Sequence, residues 1–463
     1  MPGKLFNKAP QPELYDPGPA DHGLALFTDL YELTMLQAYL EEGLTEPAVF
    51  SLSVRRLPVR RNFLLACGID TVIGQLERLR FDDDDLTYLA SLRLFNDRFL
   101  AWLGSFRFSG TVHAVPDGTP LFANEPILEV SAPLPEAQLI ETLVMNQVHL
   151  QTVLASKAVR VVVAAQGRPL IDFGARRIHG LDAALKAARA FYIGGVTATS
   201  NVLAGKRYGI PVAGTMAHSY VQAHEDEAAA FRTFARLYPQ TILLVDTYDT
   251  LDGVRKVIAL AETLGSDFQV RAVRLDSGDL AWLARETRRL LDDAGLQGVE
   301  IFASGGLDED VISALLSSGA PIDGFGVGTH MGVSSDAPDL DIAYKLCEYA
   351  DEGRLKLSSG KLVLPGRKQV FRVLKDGQAE RDIITRDGER CDGHALLEPV
   401  MHHGKRISAM QPLTQVREHA RTQIRQLPAR VRANTPATPP YPVTVSPELL
   451  RFQQHVREKV AHL

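Results

Sequence analysis

A chain of 463 residues exceeds the usual size of one domain and can bury a substantial core, so two or three domains are expected. Hydrophobic residues make up 45% and charged residues 23%, both ordinary for a globular protein, and no apolar run reaches the roughly 18 residues of a membrane span. A net charge of −6 gives no electrostatic reason for nucleic acid as a partner, and three scattered cysteines, Cys67, Cys347 and Cys391, argue against a disulfide framework or a thiolate zinc site.

In chain order, the first 23 residues are polar and proline-rich, with neither a basic start nor an apolar core. No secretory signal is read there, and cytoplasmic residence is the expectation. Asp29 followed by Glu32 has the form of a capping box for a helix over Leu30 to Leu40, with Tyr31 in its first turn. Asp82 to Asp85 read as a helix start, where carboxylates meet the positive end of the dipole, rather than as a metal cluster. Thr111 to Val130 reads as short strands around turns at Pro116-Asp117-Gly118 and Asn124-Glu125-Pro126. Residues 136 to 165 then read as one long, largely buried helix.

From about residue 170 to 330, short apolar runs alternate with amphipathic helical patterns, the signature of parallel βα units. The predicted strands are Pro169 to Phe173, Ile210 to Ala213, Thr241 to Val245, Val270 to Leu275, Val299 to Ala303 and Ile322 to Phe325. Helices are predicted at Glu225 to Tyr238, Leu251 to Leu264, Leu280 to Ala294 and Glu309 to Ser318. Six such units suggest a closed or nearly closed α/β barrel, with an open doubly wound sheet as the alternative. Past residue 340 the strand-like segments Arg354 to Leu357, Lys361 to Leu364 and Gln369 to Val373 complete a β-rich unit. A helix carrying Arg417, Arg421 and Arg425 on one face, a proline-rich linker at Thr435 to Pro442 and a helix from Pro447 close the chain. The expected division is 1–135 with about 345–400 as a helical and β-rich domain, 136–345 as the barrel, and 401–463 as a helical extension.

Each predicted barrel strand ends in polar or glycine-rich residues, and ligand sites of α/β folds lie at those ends. His218, in Gly214-Thr215-Met216-Ala217-His218-Ser219, is either a hydrogen-bonded strand-end imidazole or an acid, base or nucleophile. Ser304-Gly305-Gly306 and Gly326-Val327-Gly328-Thr329, in the final two loops, suit a phosphate that needs close backbone approach. Arg274 and Asp276 are two apart on one strand and so share a face; Asp276 suits ribose hydroxyls or Mg²⁺, whereas Asp279 reads as a helix cap. Arg176 and Arg177 suit a phosphate, a carboxylate or a structural ion pair.

Taken together, Thr28-Asp29-Leu30-Tyr31, Asn124-Glu125-Pro126 through Thr142, Asp172-Phe173-Gly174-Ala175-Arg176-Arg177, Gly214 to Ser219, Arg274 to Asp279 and Gly326 to Thr329 stand in the order seen in nicotinate phosphoribosyltransferases. The resemblance runs from about residue 24 to 350. It implies an irregular α/β barrel, a β-rich domain built from segments before and after the barrel, and a homodimer with shared active sites. It also implies a reaction: nicotinate and phosphoribosyl pyrophosphate give nicotinate mononucleotide and pyrophosphate, coupled to ATP hydrolysis, with Mg²⁺ accompanying both phosphorylated substrates.

By resemblance His218 accepts the γ-phosphoryl group of ATP. Tyr31 from the neighbouring subunit and Phe173 sandwich the pyridine ring, while Arg274 and Thr215 meet the base and its carboxylate. Asp276 holds the ribose hydroxyls, with Arg176, Gly305, Gly306, Gly328 and Thr329 around the phosphates. His330 stands where much of the family has a small residue. The related nicotinamide enzymes carry an aspartate near the loop that here reads Thr197-Ala198-Thr199-Ser200-Asn201, and no acid occurs in that stretch. Alternatives are a transferase for nicotinamide or quinolinate and a catalytically silent nucleotide-binding barrel; the joint presence of Tyr31, His218, Arg274 and Asp276 argues against the last.

Overall fold

The structure, a computed structural model, describes residues 24–357 and 363–461. Residues 157–335 form one compact unit, and residues 24–156 with 336–461 form a second.

In the first unit short strands alternate with helices: β1 Leu170–Asp172, β2 Ala198–Thr199, β3 Ile242–Leu244, β4 Ala272–Leu275, β5 Glu300–Ala303 and β6 Gly324–Val327. Every neighbouring pair is parallel, in the order β2-β1-β6-β5-β4-β3. Because β6 pairs with β1, the last strand returns to the first, which is how a barrel closes and a doubly wound sheet does not. The ring is interrupted once. After β2 the chain makes a parallel bridge between Thr199 and Val212, then leaves the sheet until β3. Ile210 to Ala213, predicted as a strand, is therefore a single bridge, and the sheet is a curled half-barrel with an open seam. The helices that follow β3, β4 and β5, and the one that precedes β3, start where an aspartate caps their free N–H groups: Asp226, Asp249, Asp279 and Asp308.

The second unit joins sequence from both sides of the barrel. In its larger sheet Ile342–Tyr349 pairs antiparallel with Pro47–Val54, and Glu398–His402 pairs with Thr111–Ala114. Its core face carries Phe50 stacked on Tyr344, ring centroids 4.8 Å apart, beside buried Leu52 and Val130. A smaller sheet is built on the hairpin of Lys368–Lys375 and Gln378–Arg386, to which Val443–Val445 adds a parallel strand before the final helix Pro447–Ala461. No helix among the described residues is long and apolar enough to cross a membrane.

Several local readings are corrected. Asp29 stands at the N-cap of the helix Leu30–Glu42, but its side chain does not cap it. Thr142 takes those acceptors instead: its hydroxyl donates to Asp29 at 2.7 Å and to Glu32 at 2.6 Å, and its N–H donates to Glu32 at 3.2 Å. Glu32 is fully buried there, and burial pushes its carboxyl pKa up to about 7. Asp82 and Asp85, by contrast, form a true capping box. The long helix is two, Leu134–Leu139 and Glu141–Ala164, broken at Ile140, where φ −90° and ψ 2° leave the helical region. Arg354 to Leu357 is irregular; of Lys361 to Leu364, residues 361 and 362 lie outside the described residues. Arg421 on the helix Leu413–Gln426 pairs with Glu418 at 2.9 Å, an ordinary surface pair.

Candidate active site

A parallel sheet puts the carboxyl ends of all its strands on one rim, and the polar residues of this unit gather there. Ile171, Ile242, Ala272 and Phe302 form a buried apolar layer inside the curl, with Phe173 packed against it. Two residues further along the same strands, on the same face, stand Phe173, Arg274 and Ser304. Glycines on β6 make room for the rings. A Cβ at Gly324 would lie 2.3 Å from Phe302 Cζ, and one at Gly326 would lie 2.3 Å from Phe173 Cε2.

Arg274 organises the layer above. Its guanidinium donates to Asp276 Oδ1 at 3.1 Å, to Ser304 Oγ at 3.1 Å and to the Met216 carbonyl at 2.8 Å, and it lies 5.9 Å from the Phe173 ring centre. The Thr215 hydroxyl donates to the same Met216 carbonyl at 3.1 Å, so Thr215 and Arg274 meet at one point across the open seam. Burial lowers the Arg274 pKa, the carboxylates of Asp276 and Asp246 raise it, and Arg176 adds a second positive charge in its field. Ser304 also donates to Asp276 Oδ1. Oδ2 of Asp276 is left facing His218, 3.8 Å from Nε2.

His218 opens the short helix His218–Gln222 immediately after the seam, and its Nδ1 is 3.2 Å from the Thr247 hydroxyl beyond β3. Asp246, next to Thr247, accepts from the Asp276 N–H at 2.9 Å and from the Ser277 hydroxyl at 2.8 Å. Its second oxygen is buried and has no hydrogen-bond partner among the described residues. Thus the seam residue and three adjacent strand ends share one polar cluster. Asp279 turns away from it and caps its helix through Trp282 N–H at 3.0 Å.

On the other side, Asp172 ends β1 almost wholly buried, accepting from Gly174 N–H at 2.8 Å and from the Thr199 hydroxyl at 2.7 Å; burial raises its pKa. It fixes the turn that presents Phe173 and Arg176. Arg177 donates to the Thr329 hydroxyl at 3.3 Å, so one of the two arginines is tied to the last loop while Arg176 stays exposed. His330, beside Thr329, is 3.2 Å from Ser335 Oγ through Nδ1. Gly306 and Gly328 have no side chain to block their backbone; around Gly306 the position of a Cβ is open space. Gly305 is different: at φ +85° its Cβ would sit 1.9 Å from the Asp276 carbonyl oxygen. Gly305→Ala is expected to lower stability by about 2–3 kcal/mol through backbone strain and that collision, read as a shifted urea midpoint; an unchanged midpoint would refute the contact.

With this geometry in place, comparison with known proteins is decisive. Residues 26–149 match the nicotinate phosphoribosyltransferase (NAPRTase) N-terminal domain, 169–361 the NAPRTase family and 390–453 the C-terminal domain. The chain belongs to the nicotinate phosphoribosyltransferase family. It is similar to a nicotinate phosphoribosyltransferase of Mycobacterium tuberculosis, 56% identical over 430 residues that cover 93% of each chain. A Bacillus subtilis nicotinate phosphoribosyltransferase is 40% identical over 403 residues, 85% of this chain and 80% of that one. The fold is similar to the crystal structure of human nicotinic acid phosphoribosyltransferase, with a TM-score of 0.82, 28% identity, and coverage of 93% of this chain and 99% of that one.

The segment from Thr197 to Asn201 spends its polar groups on the fold: Thr199 donates to Asp172, and Asn201 caps the helix Val202–Tyr208 by accepting from Ala204 N–H at 3.1 Å. Tyr31 belongs to the second unit, where it is 48% exposed and its phenol pKa is raised by burial and by Glu141 and Glu32. The sequence assigns Asp246 and Thr247 no role beyond a polar strand end, and it places Ser304 only in a phosphate loop, not beside Arg274 and Asp276. The run Asp246-Thr247-Tyr248-Asp249 was visible as a polar strand end, but only the pairing of β3 with β4 and of β4 with β5 shows which of its side chains reach Asp276 and His218.

Proposed function

We propose that this chain is a nicotinate phosphoribosyltransferase acting in NAD biosynthesis. It transfers the 5-phosphoribosyl group from phosphoribosyl pyrophosphate to the ring nitrogen of nicotinate: the C1–oxygen bond to pyrophosphate breaks and a C1–nitrogen bond forms. The observation that carries this reading is the convergence of Phe173, Arg274, Asp276 and His218 on one rim of a member of this family.

The chemistry asks for placement more than for proton transfer, because pyrophosphate is a good leaving group and C1 gains positive charge in the transition state. Phe173 offers a face for the pyridine ring, and Arg274, with Thr215, meets its carboxylate. Asp276 keeps Oδ1 on Arg274 and Ser304, and Oδ2 remains for the ribose hydroxyls and for the charge at C1. Arg176, the backbone at Gly305, Gly306 and Gly328, and Thr329 take the phosphates. A magnesium ion brought in on the phosphorylated substrates would find the partnerless oxygen of Asp246 beside this cluster and would supply neutralisation of the pyrophosphate charge.

ATP is the third substrate in this proposal. The γ-phosphoryl group moves to a ring nitrogen of His218, ADP leaves, and hydrolysis of the phosphoimidazole later in the cycle returns free histidine and inorganic phosphate. New charge at His218 alters the affinity of the nearby diphosphate site, which is how hydrolysis couples to transfer. The reading includes a cytoplasmic homodimer in which Tyr31 of one subunit completes the base site of the other. The acid-free segment Thr197 to Asn201 and the paired charges of Arg176 and Arg274 favour a carboxylate base over an amide. With nicotinate, nicotinamide and quinolinate offered separately alongside phosphoribosyl pyrophosphate and ATP, nicotinate mononucleotide from nicotinate is expected as the product at least 100-fold faster than either alternative. Preferred turnover of nicotinamide or quinolinate would overturn the assignment.

A further inference from the structure

The second unit contains a cleft of its own, of about 140 Å³ and partly open to solvent. It lies on the face of the large sheet opposite the Phe50 and Tyr344 core, where the pairs Ser51–Lys345 and Ser53–Ala343 stand side by side. Among the described residues four cations line it, Arg55, Lys345, Lys356 and Lys368, and no carboxylate does. Two carboxylates touch these cations from behind. Glu129, fully buried, is matched by Lys368 Nζ at 3.0 Å, by Lys368 N–H at 2.8 Å and by the Ser51 hydroxyl at 2.5 Å. Asp341 is shared by Arg55 at 3.0 Å and Arg56 at 3.2 Å.

Lys345 lies in the field of Glu141, yet neither it nor Lys356 has a salt-bridge partner among the described residues. With Arg56 and Glu141 included, five positive charges stand against three negative ones, an excess that a dianion would balance. The Ser53 hydroxyl stands beside the lysines as a donor, and Pro126, Ala343, Val363 and Leu364 supply an apolar wall. We propose that this cleft binds a phosphate monoester with an apolar or aromatic body, a nucleoside monophosphate being the type, at a site built wholly from the second unit. The phosphate sits between Lys345, Lys356 and Ser53, and the body lies against the apolar wall.

Adenosine 5′-monophosphate is the probe, titrated by calorimetry into the full chain, into a Lys345→Ala/Lys356→Ala double variant and into Arg274→Ala. Both lysines are surface residues, so the double variant is expected to fold and to keep its thermal midpoint. The expected result is a saturable site that weakens at least tenfold in the double variant, persists in Arg274→Ala, loses affinity as salt rises, and takes neither adenosine nor inorganic phosphate as well as the monophosphate. An isotherm unchanged in the double variant, or one abolished by Arg274→Ala alone, would overturn the proposal by placing the binding elsewhere. Equal affinity for adenosine would overturn the phosphate's role, and equal affinity for inorganic phosphate that of the wall. None of these outcomes depends on which pyridine base the barrel accepts.

Discussion

A His218→Ala chain incubated with magnesium and ATP labelled at the γ-phosphate is expected to acquire no label, whereas the unaltered chain acquires an acid-labile, base-stable phosphoryl group. The geometry behind this is a division of labour between the two ring nitrogens. Nδ1 is held 3.2 Å from the Thr247 hydroxyl, while Nε2 points toward Asp276 at 3.8 Å. A proton on Nδ1 donated to Thr247 leaves the Nε2 lone pair as the nucleophile, directed into the polar cluster rather than into the protein. Without the imidazole, nicotinate turnover is expected to become indifferent to ATP. Thr247→Val removes the orienting hydroxyl but keeps the nucleophile, so labelling should survive at a rate about tenfold lower, the kinetic equivalent of one hydrogen bond of ~1.4 kcal/mol. Equal labelling of His218→Ala and the unaltered chain would place the phosphoryl acceptor elsewhere.

Arg274→Ala is expected to lower kcat/KM for nicotinate by about a thousandfold, ~4 kcal/mol of transition-state stabilisation, with the fold intact by circular dichroism. The residue does two things at once. In the proposed reaction it offers a charge-assisted donor to the substrate carboxylate, a contact worth roughly 1.5–3 kcal/mol. It also anchors Asp276 Oδ1, Ser304 and the Met216 carbonyl, so its loss releases the residues around the seam. Arg274→Lys keeps the charge but cannot reach three partners with one planar group, and should recover only a small part of the activity. Normal kinetics in Arg274→Ala would remove it from the site.

How much of this was legible beforehand depends on whether a signal was local. The helices after β3, β4 and β5 announced themselves through 3.6-residue periodicity, the one after β4 also through its Asp279 cap, and the structure begins them within a residue of the predicted starts. Strand β2 did not: Ala198–Thr199 is two residues long and has no apolar run to betray it. The run Ile210 to Ala213 looked like a strand because Ile-Pro-Val-Ala is apolar, yet Pro211 has no N–H to give a ladder and the segment makes one bridge. The capping box at Asp29 and Glu32 failed for a different reason. Spacing can offer an acceptor to a helix start, but it cannot foresee Thr142, 110 residues from Glu32 in the chain, taking that acceptor first.

What the sequence by itself determined is the inventory and its order: βα units, polar strand ends, glycines in the last loops, and His218, Arg274 and Asp276 in a family-specific succession. The units, strand ends and glycines follow from short-range rules of period, capping and steric size, which act within a few residues, whereas the succession rests on resemblance to the family. The tertiary structure alone decided that the barrel has a seam and that His218 stands beside it. It also decided that Asp246, Thr247 and Ser304 belong to the same cluster as Asp276 and His218. Those facts depend on which strands lie side by side, a property set by the burial of faces across the whole sheet and not by any one stretch of chain.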